Sequence, residues 1–135
     1  MSENSSVDNM DSSFGNKSNI LIVDDDETIV NMLSRFLSSR GYAVAGATST
    51  AEVFLLINKM RFDVIMTDLK IQPESGIELI RKMKETGFNG PIIAFSASPE
   101  YIAELKSSSL DVAAIFEKPF DLGEIHGKIK ECIRC

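Results

Sequence analysis

Five short apolar runs, separated by longer stretches with helical periodicity, constrain the fold of this chain more than any other feature. The runs are Ile20–Val23, Tyr42–Ala47, Phe62–Thr67, Pro91–Phe95 and Val112–Phe116. They are nearly continuous in apolar residues, which is typical of strands buried on both faces of a parallel sheet. The order βαβαβαβαβα therefore predicts an α/β fold with a (βα)5 doubly wound, five-stranded parallel sheet.

The stretches between and after the runs carry signals of helix formation. The predicted first helix has one apolar face, made of Ile29, Met32, Leu33, Phe36 and Leu37. Ser49 and Glu52 have the spacing of a capping box at the start of the second helix. Ser98 followed by Pro99 is typical of an N-cap and first helical residue, and Asp121 is a predicted N-cap of the last helix.

Composition sets the domain organisation and excludes several classes of function. Residues 1–18 are rich in Ser, Asn and Asp, so we predict a disordered N-terminal tail followed by one domain over residues 19–135. The 14 Lys and Arg residues against 20 Asp and Glu residues give a net charge of −6, which disfavours direct binding of nucleic acid. Neither a membrane-spanning run nor a secretory signal is present in the sequence, so we expect a cytoplasmic protein.

Polar side chains stand at the carboxyl ends of four predicted strands. Asp24, Asp25 and Asp26 follow the first run, and Asp68 follows the third. The fourth strand is predicted to end at Ser96 and the fifth at Lys118. Because open α/β sheets bind ligands beyond the carboxyl ends of their strands, these residues are expected to share one pocket.

The charges of such a pocket favour a divalent cation. Three carboxylates about 5 Å apart repel each other by roughly 3 kcal/mol per pair at an effective dielectric constant of about 20, and one lysine cannot neutralise them. Ligands that are all oxygen suit Mg²⁺, and Mn²⁺ can substitute. A carboxylate can attack phosphorus while a metal, an ammonium and a hydroxyl stabilise the phosphoryl oxygens, so the set indicates phosphoryl transfer.

These residues together resemble the receiver domain of two-component response regulators over residues 19–135. The matching segments are ILIVDDDE (20–27), FDVIMTD (62–68), IIAFSA (92–97) and FEKPF (116–120). Gly76 stands eight residues after Asp68, where the family usually has a loop glycine. The resemblance implies a flavodoxin-like receiver fold similar to that of the chemotaxis regulator. It also implies a phosphorylation-dependent signalling switch rather than an enzyme.

The resemblance also implies partners and a role for each of six residues. Asp68 would be the phosphoacceptor, the Ser96 hydroxyl would move toward the phosphoryl group, and Lys118 would pair with the phosphoryl oxygens. Asp25 would bind Mg²⁺ directly, and Asp24 would bind it mainly through water. The backbone carbonyl of Lys70 would be a further metal ligand. A histidine kinase or phosphotransfer protein would supply the phosphoryl group. A downstream protein target or output domain would receive the signal.

Three positions depart from the family pattern. Gln72 stands where the family usually has Pro, four residues after the acceptor. Ile115 stands where the family often has the Tyr or Phe that couples phosphorylation to output, and Phe116 is expected to face the other side of the sheet. Lys70 lies two residues after the acceptor, beside the expected phosphoryl group. These departures concern the output mechanism and the lifetime of the phosphorylated state rather than phosphorylation itself.

Two other functions stay open on the sequence. The segment from Asp24 to Thr28 spells D-x-D-x-T after an apolar strand, which resembles the first motif of haloacid-dehalogenase-type phosphotransferases. In that alternative Asp24 would be the nucleophile. The second alternative is a degenerate receiver that acts only as a protein-interaction module. Identifying the phosphorylated residue distinguishes the first alternative, with Asp24 as acceptor, from a receiver, with Asp68 as acceptor. A test for metal-dependent phosphorylation distinguishes the second alternative from an active receiver.

Overall fold

A computed structural model describes residues 17–71 and 75–133 of the chain. The predicted tail up to residue 16 and the departure at Gln72 lie outside the described residues. Strands and helices alternate in the order β1 (Asn19–Val23), α1 (Glu27–Ser38), β2 (Ala43–Ala47), α2 (Thr50–Lys59), β3 (Val64–Asp68), α3 (Gly76–Glu85), β4 (Ile92–Ser96), α4 (Pro99–Ser107), β5 (Ala114–Glu117) and α5 (Leu122–Ile133). The strands form one parallel sheet in the order β2-β1-β3-β4-β5, which confirms the predicted architecture.

The strands differ from the predicted apolar runs mainly at their ends. β3 includes Asp68 as its last residue, and β4 ends at Ser96 as predicted. The prediction that the fifth strand ends at Lys118 is wrong, because β5 ends at Glu117. Asp68 pairs with Phe95, and Ser96 pairs with Glu117, in the parallel register. Backbone pairing defines a strand end, and an apolar pattern does not detect a polar residue that still pairs.

The sheet separates two apolar layers. On one face, the side chains of Leu21, Ile65 and Ala94 pack in a cluster with residues of α2, α3 and α4. On the other face, Ile22, Met66 and Phe95 pack with residues of α1 and α5. The three central strands are almost completely buried, whereas the edge strands β2 and β5 are half-buried. The prediction of strands buried on both faces is therefore correct only for the centre of the sheet.

The apolar face of α1 is rotated relative to its predicted position. The buried residues are Val30, Leu33 and Leu37, whereas Met32 is 38% exposed. Successive residues of a helix are separated by about 100°, so a face centred on Leu33 leaves Met32 at its border. The apolar pattern alone was wrong for this residue because α1 packs on the sheet along a narrower stripe.

Side-chain caps fix where the helices begin, including the predicted caps Ser98 and Asp121. The Asp26 carboxylate accepts a hydrogen bond from the Thr28 N–H (3.0 Å) at the start of α1. The Ser98 hydroxyl accepts one from the Tyr101 N–H (3.3 Å), and Asp121 accepts one from the Glu124 N–H (3.0 Å). These contacts satisfy N–H groups that have no partner within the helix. None of the helices in residues 17–71 and 75–133 combines the length and the apolar character needed to cross a membrane.

Candidate functional site

Residues from four strands meet at the carboxyl edge of the sheet, as the sequence predicted. Asp24 directly follows β1, Asp68 ends β3, Ser96 ends β4, and Lys118 directly follows β5. They border a cleft of about 320 Å³. Its lining consists of Asp24, Asp25, Asp26, Asp68, Lys70, Ser96, Ala97, Ser98 and Lys118. The cleft therefore contains all six residues to which the sequence assigned a role.

Three carboxylates in this cleft lie close together. Asp24, Asp25 and Asp68 each present an oxygen within 4.8 Å of the others. Asp24 and Asp68 are buried, whereas Asp25 is exposed. Like charges at this distance repel, so a nearby cation would stabilise the group.

Lys118 supplies one of the positive charges. Its Nζ atom lies 2.9 Å from Oδ2 of Asp24 and 3.3 Å from Oδ2 of Asp68. Burial by itself would lower the pKa of Lys118, but the hydrogen bond to Asp24 and the negative charge of Asp68 outweigh burial and raise the pKa. The ammonium therefore keeps its charge and neutralises part of the carboxylate cluster.

Asp24 is held by the protein at both of its carboxylate oxygens. Oδ1 accepts a hydrogen bond from the Asp26 N–H (2.9 Å), and Oδ2 accepts one from Lys118. Burial, aided by the negative charge of Asp68, raises the pKa of Asp24, although these two hydrogen bonds oppose the shift. These contacts fix the orientation of the Asp24 carboxylate beside Lys118.

Asp25 differs from its two neighbours because its carboxylate is exposed. Within residues 17–71 and 75–133, no side chain or backbone group forms a hydrogen bond or ion pair with it. An exposed carboxylate next to two buried ones suits a cation that enters from solvent. Among residues 17–71 and 75–133, Lys118 is the one cationic side chain that forms an ion pair with these carboxylates. The oxygen ligands on two strand ends therefore fit a hard divalent cation such as Mg²⁺.

The backbone around Asp68 is fixed by a close approach of α3. The Asp68 Oδ1 atom accepts a hydrogen bond from the Lys70 N–H (3.2 Å), and the Gly76 N–H donates one to the Leu69 carbonyl (2.8 Å). A Cβ atom at Gly76 would overlap the Asp68 carbonyl oxygen and lie 2.5 Å from Leu69 Cα. Glycine is therefore required at position 76. The family resemblance indicated a glycine at this position but not the close backbone approach that requires it.

Ser96 lies at the wall of the cleft with its hydroxyl bonded to the adjacent loop. The residue is 1% exposed, and its Oγ atom accepts a hydrogen bond from the Ser98 N–H (3.0 Å). Its carbonyl accepts a hydrogen bond from the Lys118 N–H (2.8 Å), which joins the ends of β4 and β5. Ile115 and Phe116 pack on opposite faces of the sheet, as predicted.

Comparison with known proteins identifies the family. The sequence model of the response regulator receiver domain matches residues 20–130. The chain belongs to this family. Receiver domains of two-component response regulators are signalling switches that are phosphorylated on an aspartate with Mg²⁺, and they are not generally classed as enzymes.

Relatives of this receiver domain include both short and long proteins. It is 32% identical over 112 residues to sporulation initiation phosphotransferase F of Bacillus subtilis, and the match covers 83% of this chain and 90% of that protein. It is 29% identical over 106 residues to the DNA-binding transcriptional regulator NtrC of a Bradyrhizobium strain. That match covers 78% of this chain but only 22% of NtrC, so the chain spans less than a quarter of the longer protein.

Solved structures agree with the receiver fold. A CheY-like receiver domain protein from Methanospirillum hungatei aligns with a TM-score of 0.77 and 27% identity over 87% of this chain and 94% of that one. The response regulator TrrA of Thermotoga maritima, in complex with Mg(2+)-BeF, shares the fold with a TM-score of 0.75 and 24% identity, covering 85% and 98% of the chains. A Burkholderia pseudomallei response regulator with a phosphorylated aspartic acid and a calcium ion aligns with a TM-score of 0.72 and 26% identity, covering 83% and 66%.

Proposed function

We propose that this receiver domain accepts a phosphoryl group on Asp68, with Mg²⁺ bound beside it, and signals through protein contacts. The observation that carries the proposal is the position of Asp68, whose Oδ2 lies 3.3 Å from Lys118 Nζ and whose carboxylate is grouped with the other two carboxylates of the cleft. A phosphoryl group on Asp68 would then lie where a positive charge and a metal site converge. The phosphorylated aspartic acid in the Burkholderia relative supports this assignment.

Phosphorylation of Asp68 is a displacement at phosphorus. A carboxylate oxygen of Asp68 forms a bond to phosphorus while the bond to the donor breaks, and the donor oxygen or imidazole nitrogen keeps the electron pair. Lys118 donates hydrogen bonds to the phosphoryl oxygens, and the Ser96 hydroxyl turns from the Ser98 N–H toward them. Asp24 keeps the Lys118 ammonium in the cleft during phosphoryl transfer, because the hydrogen bond between Lys118 and Asp24 does not involve the reacting carboxylate of Asp68.

The carboxylates of Asp25 and Asp68 and the carbonyl of Lys70 would hold Mg²⁺, and Asp24 would contribute mainly through water. The cation would neutralise the negative charge of the carboxylates and of the incoming phosphoryl group. Mn²⁺ would serve in its place, because it accepts the same oxygen ligands. The exposed, unbonded carboxylate of Asp25 and the Mg(2+)-BeF complex of the Thermotoga relative support this part of the proposal.

The proposed partners are proteins. A histidine kinase or phosphotransfer protein supplies the phosphoryl group, and a protein target or output domain receives the signal. The net charge of −6 opposes direct contact with nucleic acid, although relatives of this domain include DNA-binding regulators. We propose a cytoplasmic location, where such kinases present their phosphohistidine, and no activity beyond self-catalysed phosphorylation and dephosphorylation.

Intact-mass measurement after incubation with a small acyl phosphate and Mg²⁺ tests the proposal. The protein should gain one phosphoryl group, Asp68→Asn should gain none, and Asp24→Asn should gain it more slowly. Asp111→Asn is the matched control, because Asp111 is an exposed aspartate outside the cleft. Full labelling of Asp68→Asn with loss in Asp24→Asn would support the haloacid-dehalogenase alternative. No labelling of the unaltered protein would support the degenerate receiver.

A further inference from the structure

The ammonium of Lys118 lies over an aromatic ring in addition to its two carboxylate partners. Its Nζ atom is 5.2 Å from the centroid of the Phe95 ring. A cation within about 6 Å of a ring centroid is attracted by the negative face of the ring, and more strongly where water is excluded. Phe95 is completely buried, and the Lys118 side chain is 20% exposed, so this contact is largely shielded from solvent.

The strand register explains why the ring lies beneath the cleft. Phe95 directly precedes Ser96 on β4, and its side chain packs on the face of the sheet covered by α1 and α5. It pairs with Asp68 in the register between β3 and β4, and its carbonyl accepts a hydrogen bond from the Leu69 N–H (3.0 Å). Phe95 is therefore a buried apolar residue next to both Asp68 and Lys118.

A second ring fixes the orientation of the first. Phe120 meets Phe95 in an edge-to-face arrangement, with 5.6 Å between centroids and 80° between ring planes. Phe120 lies two residues after Lys118, so the segment that carries the lysine also carries the ring that supports Phe95. Edge-to-face pairs of this kind stabilise a defined ring orientation in addition to burying apolar area.

We infer that Phe95 is a positioning residue for Lys118 in phosphoryl transfer, an inference that rests on the proposed function. During phosphorylation the ammonium exchanges an Asp68 oxygen for a phosphoryl oxygen. Phe95 attracts the ammonium without being an anion, so it does not compete with the phosphoryl group for the charge. The Phe95 ring keeps Lys118 Nζ in place while its hydrogen bonds shift from the Asp68 carboxylate to the phosphoryl oxygens.

The rate of phosphorylation by a small acyl phosphate at fixed Mg²⁺ tests this inference, with mass gain followed over hours. Phe95→Leu removes the ring face and should slow phosphorylation about 2- to 30-fold, the range that corresponds to a cation–π contact. In the Lys118→Met background the same substitution should change the rate less than about 2-fold, because the partner of the ring is already absent. The rise in Tm caused by Mg²⁺ alone should be retained in Phe95→Leu.

Two further variants separate this role from a purely structural one. Phe95→Met fills the core with a different aliphatic shape and should be slowed like Phe95→Leu, so it replaces that variant if Leu impairs folding. Phe36→Leu is the matched control, because it removes the contact between Arg40 and the Phe36 ring (4.5 Å) away from the cleft and should leave the rate unchanged. An equal loss with and without Lys118, or an unchanged rate in both Phe95 variants, would overturn the inference. If Asp68→Asn is still labelled, the proposed function itself fails.

Discussion

Lys118 forms a shorter ion pair with Asp24 than with Asp68. The Nζ atom lies 2.9 Å from Asp24 and 3.3 Å from Asp68, although Asp24 and Lys118 are 94 residues apart in sequence. The pair joins the ends of β1 and β5 across the sheet. Within residues 17–71 and 75–133, no cationic side chain pairs with the exposed carboxylate of Asp25, so the proposed metal would balance a charge that Lys118 does not.

Mg²⁺ should therefore stabilise the unphosphorylated protein. A cation that binds only the folded state adds RT ln(1 + [Mg²⁺]/Kd) to the free energy of unfolding, about 1.4 kcal/mol at ten times Kd. Thermal unfolding measured across a Mg²⁺ series should show a rising Tm. Asp25→Ala should remove most of this rise, whereas Asp111→Ala should retain it. A full rise in Asp25→Ala would place the metal away from the proposed ligands.

Lys70 should slow the loss of the phosphoryl group. It is exposed at the wall of the cleft, two residues after the acceptor, where its side chain would cover the path of a water attacking phosphorus. An ammonium has no lone pair with which to orient that water. Lys70→Ala should therefore speed dephosphorylation, measured as the decay of phosphorylated protein after removal of the donor at fixed Mg²⁺. Lys106→Ala, an exposed lysine on α4, is the control. Unchanged or slower decay in Lys70→Ala would refute shielding without affecting the assignment of Asp68.

Substitution of Gly76 should destabilise the fold and disturb the acceptor. A methyl group there meets the backbone of Asp68 and Leu69, so Gly76→Ala should lower the free energy of unfolding by about 1–3 kcal/mol. Gly127→Ala has the opposite expected sign. A Cβ atom at Gly127 in α5 meets nothing within 4 Å, and alanine in a helix interior should add about 0.5–1 kcal/mol. Urea unfolding of both variants measures the contrast, and equal effects would contradict the close-approach argument.

His126 should make stability depend on pH above the range where most carboxylates titrate. Its ring contacts Phe36 and Tyr42 edge to face, and burial followed by the charges of Lys130 and Arg40 lowers its pKa below 6.5. The unfolded chain therefore binds the proton more readily, so the free energy of unfolding should decrease as pH falls through 6.5. His126→Gln should decrease less over the same interval in urea unfolding. Identical pH profiles would show that His126 is not responsible.

The order of the elements and the chemistry of the strand ends follow from local patterns in the sequence. Apolar runs and helix caps are local patterns, and they were sufficient to predict five parallel strands with helices between them. Because parallel strands present their carboxyl ends at one edge, the same patterns predicted that Asp68, Ser96 and Lys118 share a cleft. The end of β4 at Ser96 was predicted, whereas Asp68 as the last residue of β3 was not, since backbone pairing rather than side-chain polarity ends a strand.

The contacts that each residue of the cleft makes depend on the three-dimensional fold and could not be predicted from local patterns. In the folded protein, Lys118 forms an ion pair with Asp24, and Asp25 is exposed. The Phe95 ring lies beneath the Lys118 ammonium. The orientation of α1 on the sheet leaves Met32 outside the buried stripe formed by Val30, Leu33 and Leu37. Each of these results depends on distances between residues far apart in the chain. Strand order, register and helix packing set those distances together, and no local pattern of side chains specifies them.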